Sequence, residues 1–248
     1  MTPDGVAVGR PARPFPLAAE LAGELGMPFL PTVFTLLADH ESYLQSVLEA
    51  FLARLPGGVD EHARATRLIG ARAAAALVEV PLPAGSEYQP IMELIDAYNQ
   101  ANPRSLLFTV FVARRASSPW RVMEPPLPAH APGDDLLADI KACHGGFMVP
   151  GFWRELAERW PGLAARAWSL VAPLAAGGPF AAARDEVHAL AREAVVGSAA
   201  TPEELGRTQT EANEIARIVS FYEIVIPTMV IEIECVRRAL DLGAAVRG

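Results

Sequence analysis

Residues 211–240, EANEIARIVSFYEIVIPTMVIEIECVRRAL, decide how the rest of the chain is read. Within them VIPTMVIEI (225–233) is β-branched enough to be a strand by propensity alone, and so is LLFTVFVA (106–113). Both runs follow helix-starting signals: Thr201-Pro202-Glu203-Glu204 before the first and Asn102-Pro103 before the second. The two runs are therefore predicted to be buried helices, and the fold class all-α.

Outward from these runs the spacing stays helical. Leu17 to Gly26 is periodic. So is Pro31 to Leu55, with Val33, Phe34, Leu37, Tyr43, Leu44, Val47, Leu48, Phe51 and Leu52 as its apolar stripe and a break near Asp39-His40. Pro56-Gly57-Gly58 stops that run, and Val59 or Asp60 opens a helix through Ala75. Ser86-Glu87 caps a helix to about Gln100, and the chain restarts at Asn102-Pro103. Further helices are predicted over 134–143, 151–159, 161–175 and 179–196, and one from Thr201 onward. Prolines at 119, 125, 126, 128 and 132 mark 117–133 as a linker, and 1–15 reads as an N-terminal arm.

The two sides of that linker resemble each other. PTVFTLLADHESYLQSV from Pro31 aligns with PGFWRELAERWPGLAAR from Pro150. AYNQANPRSLL, with Tyr98 and Pro103, aligns with FYEIVIPTMVI, with Tyr222 and Pro227. Two matches in the same order predict a duplication: a first helical repeat over 16–116, a second over 134–248, pseudo-twofold symmetry, and a pocket where the repeats face each other.

The 248 residues carry a net charge of −8, which argues against a nucleic-acid partner. With 51% hydrophobic and 20% charged residues there is ample material for a core. No apolar leader or membrane-length run is seen, so no membrane partner is expected and the cytoplasm is the expected location. Cys143 and Cys235 have no zinc-ligand or disulfide-framework spacing. Dinucleotide, phosphate-loop, nucleophile-elbow and zinc-protease motifs are absent, so neither cofactor nor metal is expected.

A few polar residues stand out. Asn99 and Asn102 lie in an apolar neighbourhood, where a carboxamide can orient a ligand or simply cap the helix at Pro103. Glu223 falls on one helical face with Pro227, Val230 and Glu234. Among aliphatics it would serve as a base; it could equally pair with Arg217 or Arg238. His144-Gly145-Gly146 reads as a helix end with a glycine cap. Phe29, Phe34, Phe152, Trp153 and Trp160 are core or pocket aromatics.

Three stretches together resemble the group I 2-haloacid dehalogenases, the DehI type: MPFLPTVFTLLADHESYL (27–44), AYNQANPRSLL (97–107) and VPGFWRELAERWPGLAARAWSLVAPL (149–174). The resemblance implies an all-helical fold of two repeats and a homodimer. It implies an activity in which water, activated by an aspartate and an asparagine, displaces halide from a short 2-haloacid without an ester intermediate. Asn102 stands at the asparagine's position, Phe29 and Thr32 at aromatic pocket positions, and Tyr222 at a pocket tyrosine. In the register set by Pro150 and Trp160-Pro161, the catalytic aspartate falls on Trp153 and the preceding serine on Phe152.

Tryptophan takes no proton, and loss of a general base costs roughly 10²–10⁴-fold. The expected protein is therefore a dehalogenase-like enzyme of a small-molecule substrate, with Asn102 and Glu223 as catalytic pair and Phe29, Thr32, Asn99, Phe152, Trp153 and Tyr222 around the ligand. A nucleophile inside the substrate, such as an amine closing a small ring, would need less activation. Chloride release from 2-chloropropionate is expected to be absent. The alternatives are a non-catalytic small-molecule-binding protein on the same scaffold, and a structural or interaction protein.

Overall fold

Asn102-Pro103 does not restart the chain. In the computed structural model, which describes residues 23–54, 58–113, 135–195, 197, 200–202 and 204–246, one helix runs through it. The described residues contain nine α-helices and no strand: α1 (Thr32–Leu37), α2 (Glu41–Leu52), α3 (Val59–Leu77), α4 (Tyr88–Ala113), α5 (Leu136–Cys143), α6 (Gly151–Arg159), α7 (Pro161–Ala175), α8 (Gly178–Ala194) and α9 (Gln209–Ala245). The predicted arm and linker lie outside the described residues.

The strand-like runs are the C-terminal end of α4 and the middle of α9. Every residue from Ser105 to Val112 and from Met229 to Val236 is buried. A helix with no polar face is one enclosed on all sides, so these two show no amphipathic stripe in the sequence. They pack along each other at the centre, and α3 and α8 lie against both of them and against each other. Phe34, Phe51, Phe108 and Phe111 fill the space between α1, α2 and α4, with ring centroids 4.9 to 5.6 Å apart.

Pro103 and Pro227 sit inside α4 and α9. Each lacks the N–H that would bond the carbonyl four residues earlier, yet each is buried, and tertiary packing holds the helix through it. The cap expected at Asn102 is thus overruled by tertiary burial.

The last helix also starts later than predicted. Thr201 and Glu204 do make the reciprocal bonds of a capping pair, at 2.9 and 3.2 Å. Only a turn follows, and Gly206 leaves it with φ 71°. A second Thr-x-x-Glu pair, Thr208 and Glu211, closes the capping box that opens α9. The break near Asp39-His40 is a 3₁₀ turn, Ala38–His40. His144 is the C-cap of α5, followed by Gly145 and Gly146 at positive φ.

The order of elements repeats across 114–134. A short helix behind a proline, Pro31 or Pro150, is followed by α2 or α7, then α3 or α8, then a long proline-containing helix, α4 or α9. Pro31 and Pro150 have nearly the same backbone angles, φ −60°, ψ 151° and φ −57°, ψ 143°.

Candidate active site

A cavity of about 130 Å³ opens where these elements meet. The approach Phe29–Val33, α4, the segment from Met148 into α6, and α9 each give it a wall. Each helix contributes one stripe. Tyr98, Asn102 and Ser105 are the pocket face of α4, and Tyr222, Val225, Ile226 and Met229 that of α9. From α6 come Gly151, Phe152, Arg154 and Glu155. A cavity of roughly 150 Å³ holds benzene, so this one admits a ligand of comparable size.

The polar groups are few. The Tyr98 hydroxyl donates to Glu155 Oε1 at 2.8 Å. Its ring is held between Phe29 and Phe152, at centroid distances of 4.7 and 5.6 Å. Burial, then the bond to Glu155, pushes the Tyr98 phenol well above its ordinary range, and the charge of Arg154 works against that rise. Tyr222 donates to Met148 Sδ at 2.9 Å. Burial raises Tyr222 too, opposed by the Thr32 hydroxyl and by Arg154. Both phenols are therefore neutral donors at neutral pH. Arg154 and Glu155 are half-buried and bring one charge of each sign.

Of the residues singled out in the sequence, Phe29, Thr32, Asn102, Phe152 and Tyr222 line the cavity. Asn99, Trp153 and Glu223 do not, and helical geometry gives the reason in each case. Glu223 is one residue, about 100°, round α9 from Tyr222. It meets α8 instead, accepting from His188 Nε2 at 2.8 Å with Arg192 at 3.5 Å. The expected Asn102–Glu223 pair is not formed. Asn99, likewise one step round from Tyr98, is buried and donates to Glu234 Oε1 at 2.8 Å; Arg67 Nε donates to the same oxygen at 2.9 Å. That contact ties α4, α9 and α3 together.

Trp153 turns away from the cavity into the core. It is fully buried, packs edge-on against Trp168 at 5.1 Å, and donates from Nε1 to Glu232 Oε2 at 2.7 Å. His144 completes this cluster, with Nδ1 2.7 Å from the Ile140 carbonyl and Nε2 3.2 Å from Glu232. A carbonyl only accepts, so Nδ1 carries hydrogen and Nε2 faces the Glu232 carboxylate. Burial opposes the charged imidazolium, but the charge and hydrogen bond of Glu232 outweigh it and leave His144 above its usual value.

Sequence reasoning missed Tyr98, Arg154 and Glu155. A signal existed: Tyr98, Asn102 and Ser105 keep i, i+4, i+7 spacing, and Glu155 is three residues after Phe152. Among the described residues no cluster of three or more His, Cys, Asp or Glu could hold a metal, and no helix is long and apolar enough to cross a membrane.

Three solved structures superpose on this architecture almost end to end. A D-2-haloacid dehalogenase with L-LA matches at TM-score 0.75 and 17% identity, covering 96% of this chain and 98% of its own. The complex of a D-2-haloacid dehalogenase mutant with D-2-CPA matches at 0.71 and 16%, with the same coverage. A further mutant of the D-2-haloacid dehalogenase matches at 0.70 and 17%, over 96% and 99%. The chain has the D-2-haloacid dehalogenase fold. No family profile matches the sequence, and no curated protein does. At such identity the shared property is the fold, and the chemistry of this dehalogenase-like chain rests on its own cavity.

Proposed function

We propose that the chain is an enzyme that displaces a leaving group from a saturated carbon of a small substrate, with Glu155 as the base. The observation that carries this is the meeting, in one small cavity, of a carboxylate, a carboxamide, a guanidinium and two neutral phenols. Glu155 takes the place first sought in Glu223. It enters the cavity from α6, two residues beyond the tryptophan that the sequence register puts at the family's aspartate.

In the proposed step, a lone pair on the nucleophile's oxygen or nitrogen forms the new bond to carbon. The carbon–leaving-group bond breaks, and its electron pair departs with the anion. The nucleophile's proton goes to Glu155, while Asn102 orients the nucleophile through its carbonyl or amide. Arg154 offsets the negative charge of the departing anion. With Glu155 as base, water attack on a short 2-haloacid is again a candidate, against the expectation drawn from Trp153 alone; a substrate whose own amine closes a ring needs less from the base because the nucleophile is already in place.

Two assays on the purified chain test this. One measures halide release from each enantiomer of 2-chloropropionate; the other follows, by mass spectrometry, ring closure of short acids bearing an amine beside a leaving group. Turnover in either, abolished in Glu155→Gln and preserved in Glu223→Gln, is the expected result. Turnover that survives Glu155→Gln refutes the assignment of the base. A ligand bound without turnover in both panels favours the binding-protein alternative.

A further inference from the structure

We infer that Tyr98 and Gly151 are a positioning pair that holds the Glu155 carboxylate by one oxygen and leaves the other free to act. This rests on the assignment of Glu155 as base, and it goes beyond it by naming what sets the base in place.

Two independent pieces of geometry carry it. The first is the bond from Tyr98 Oη to Glu155 Oε1, which crosses from α4 to α6. Among the described residues Glu155 makes no ion pair and accepts from no other group. Its second oxygen thus has no partner among the described residues, while rotation of the carboxylate is checked by the phenol.

The second is the space at Gly151. A Cβ built there would stand 2.7 Å from Tyr98 Oη and 3.4 Å from the Tyr98 ring edge. Real Cβ atoms do not approach so closely, so the hydroxyl can occupy its place only because residue 151 has no side chain. Escape for the ring is limited on both sides by Phe29 and Phe152. Gly151 is the first residue of α6, directly after the N-cap Pro150. The bare Cα there is what the approach of Tyr98 requires. Arg154 and Glu158 on α6 are the other charges acting on this phenol, and α9 presents the neutral Tyr222 to the same cavity.

Proton and carbon NMR on the full chain, tyrosines labelled at the ring carbon bearing oxygen, tests the pair without any substrate. Tyr98→Phe assigns the signal. The wild type should show a Tyr98 hydroxyl proton slow to exchange with water, and a ring-carbon shift that moves in Glu155→Gln. In Gly151→Ala that slow proton should be lost, and the ring-carbon signal should move although circular dichroism shows the helices intact. An unaltered hydroxyl proton in Gly151→Ala overturns the role of Gly151. An unmoved ring-carbon signal in Glu155→Gln overturns the bond itself.

With any substrate that the displacement assays reveal, Tyr98→Phe and Gly151→Ala should each lower kcat roughly tenfold to a hundredfold and leave KM within about threefold. Equal losses in kcat/KM carried entirely by KM overturn positioning in favour of binding. The NMR result stands apart from turnover, so failure of the pair and failure of the displacement reading are told apart.

Discussion

Trp153 and Glu155 are two residues apart, one buried in the core and the other on the cavity wall, so opposite effects are expected of them. Trp153→Phe removes a hydrogen bond to the buried Glu232 carboxylate, a loss of about 2 kcal/mol for a charged acceptor. It also deletes the pyrrole part of a fully buried indole packed against Trp168, which costs about 1–2 kcal/mol, a fraction of full truncation. The sum is about 3–4 kcal/mol, or roughly 6–16 °C in Tm for a chain of this size. Because Trp153 is not on the cavity wall, ligand affinity and turnover should be unchanged below the new melting range. Glu155→Gln should do the reverse. Its amide oxygen still accepts from Tyr98, so stability should stay within about 1 kcal/mol while activity is lost. Trp153→Asp would bury a second carboxylate beside Glu232. It should cost about 4 kcal/mol or more and confer no activity. Urea melts followed by circular dichroism, beside the displacement assays, read both properties. A Trp153→Phe protein that melts like wild type but loses ligand binding refutes the placement of the indole.

Stability should also depend on pH through His144, whose pKa is raised in the fold by Glu232 despite burial. A raised histidine stabilises fully below its unfolded pKa near 6.5, and that contribution is lost as pH climbs through the folded value. The urea midpoint of the wild type should therefore fall on the alkaline side of about 6.5, with a smaller fall in His144→Gln; equal slopes reject the coupling. Asn99→Leu takes a donor from the buried Glu234 and should cost about 2–3 kcal/mol with ligand affinity intact. Weakened ligand binding at unchanged stability would put Asn99 back at the cavity.

Most of the fold was legible because helix signals are local. Gly151–Arg159 and Pro161–Ala175 were read to the residue from a proline start and a 3.6-residue stripe. The errors arose where distant contacts overrule local chemistry. Asn102-Pro103 is an ordinary helix start, and only the packing of the buried face of α4, Pro103 included, keeps the helix running through it. Thr201 and Thr208 open equally good capping pairs seven residues apart, and nothing local to either says which one begins α9. In the site, Phe29, Thr32, Asn102, Phe152 and Tyr222 were placed at the cavity, whereas Asn99, Trp153 and Glu223 were put on the wrong side of their helices. One residue of rotation about a helix is about 100°, enough to turn a cavity wall into core. In α9 no polar stripe gives the rotation away, since its middle is buried all round.

The cavity takes its walls from residues 29–33, 98–105, 148–155 and 221–229, so it exists only when the chain is wholly assembled. Anything that fits there binds the native state alone and must add to its stability by mass action. At a hundred times its Kd, such a compound contributes about 2.7 kcal/mol, which is roughly 5–10 °C of melting temperature. Heating the protein with a library of short acids, amines and halides therefore ranks occupants before any reaction is known, and a compound that shifts the wild type and Glu155→Gln alike can then be examined for its fate.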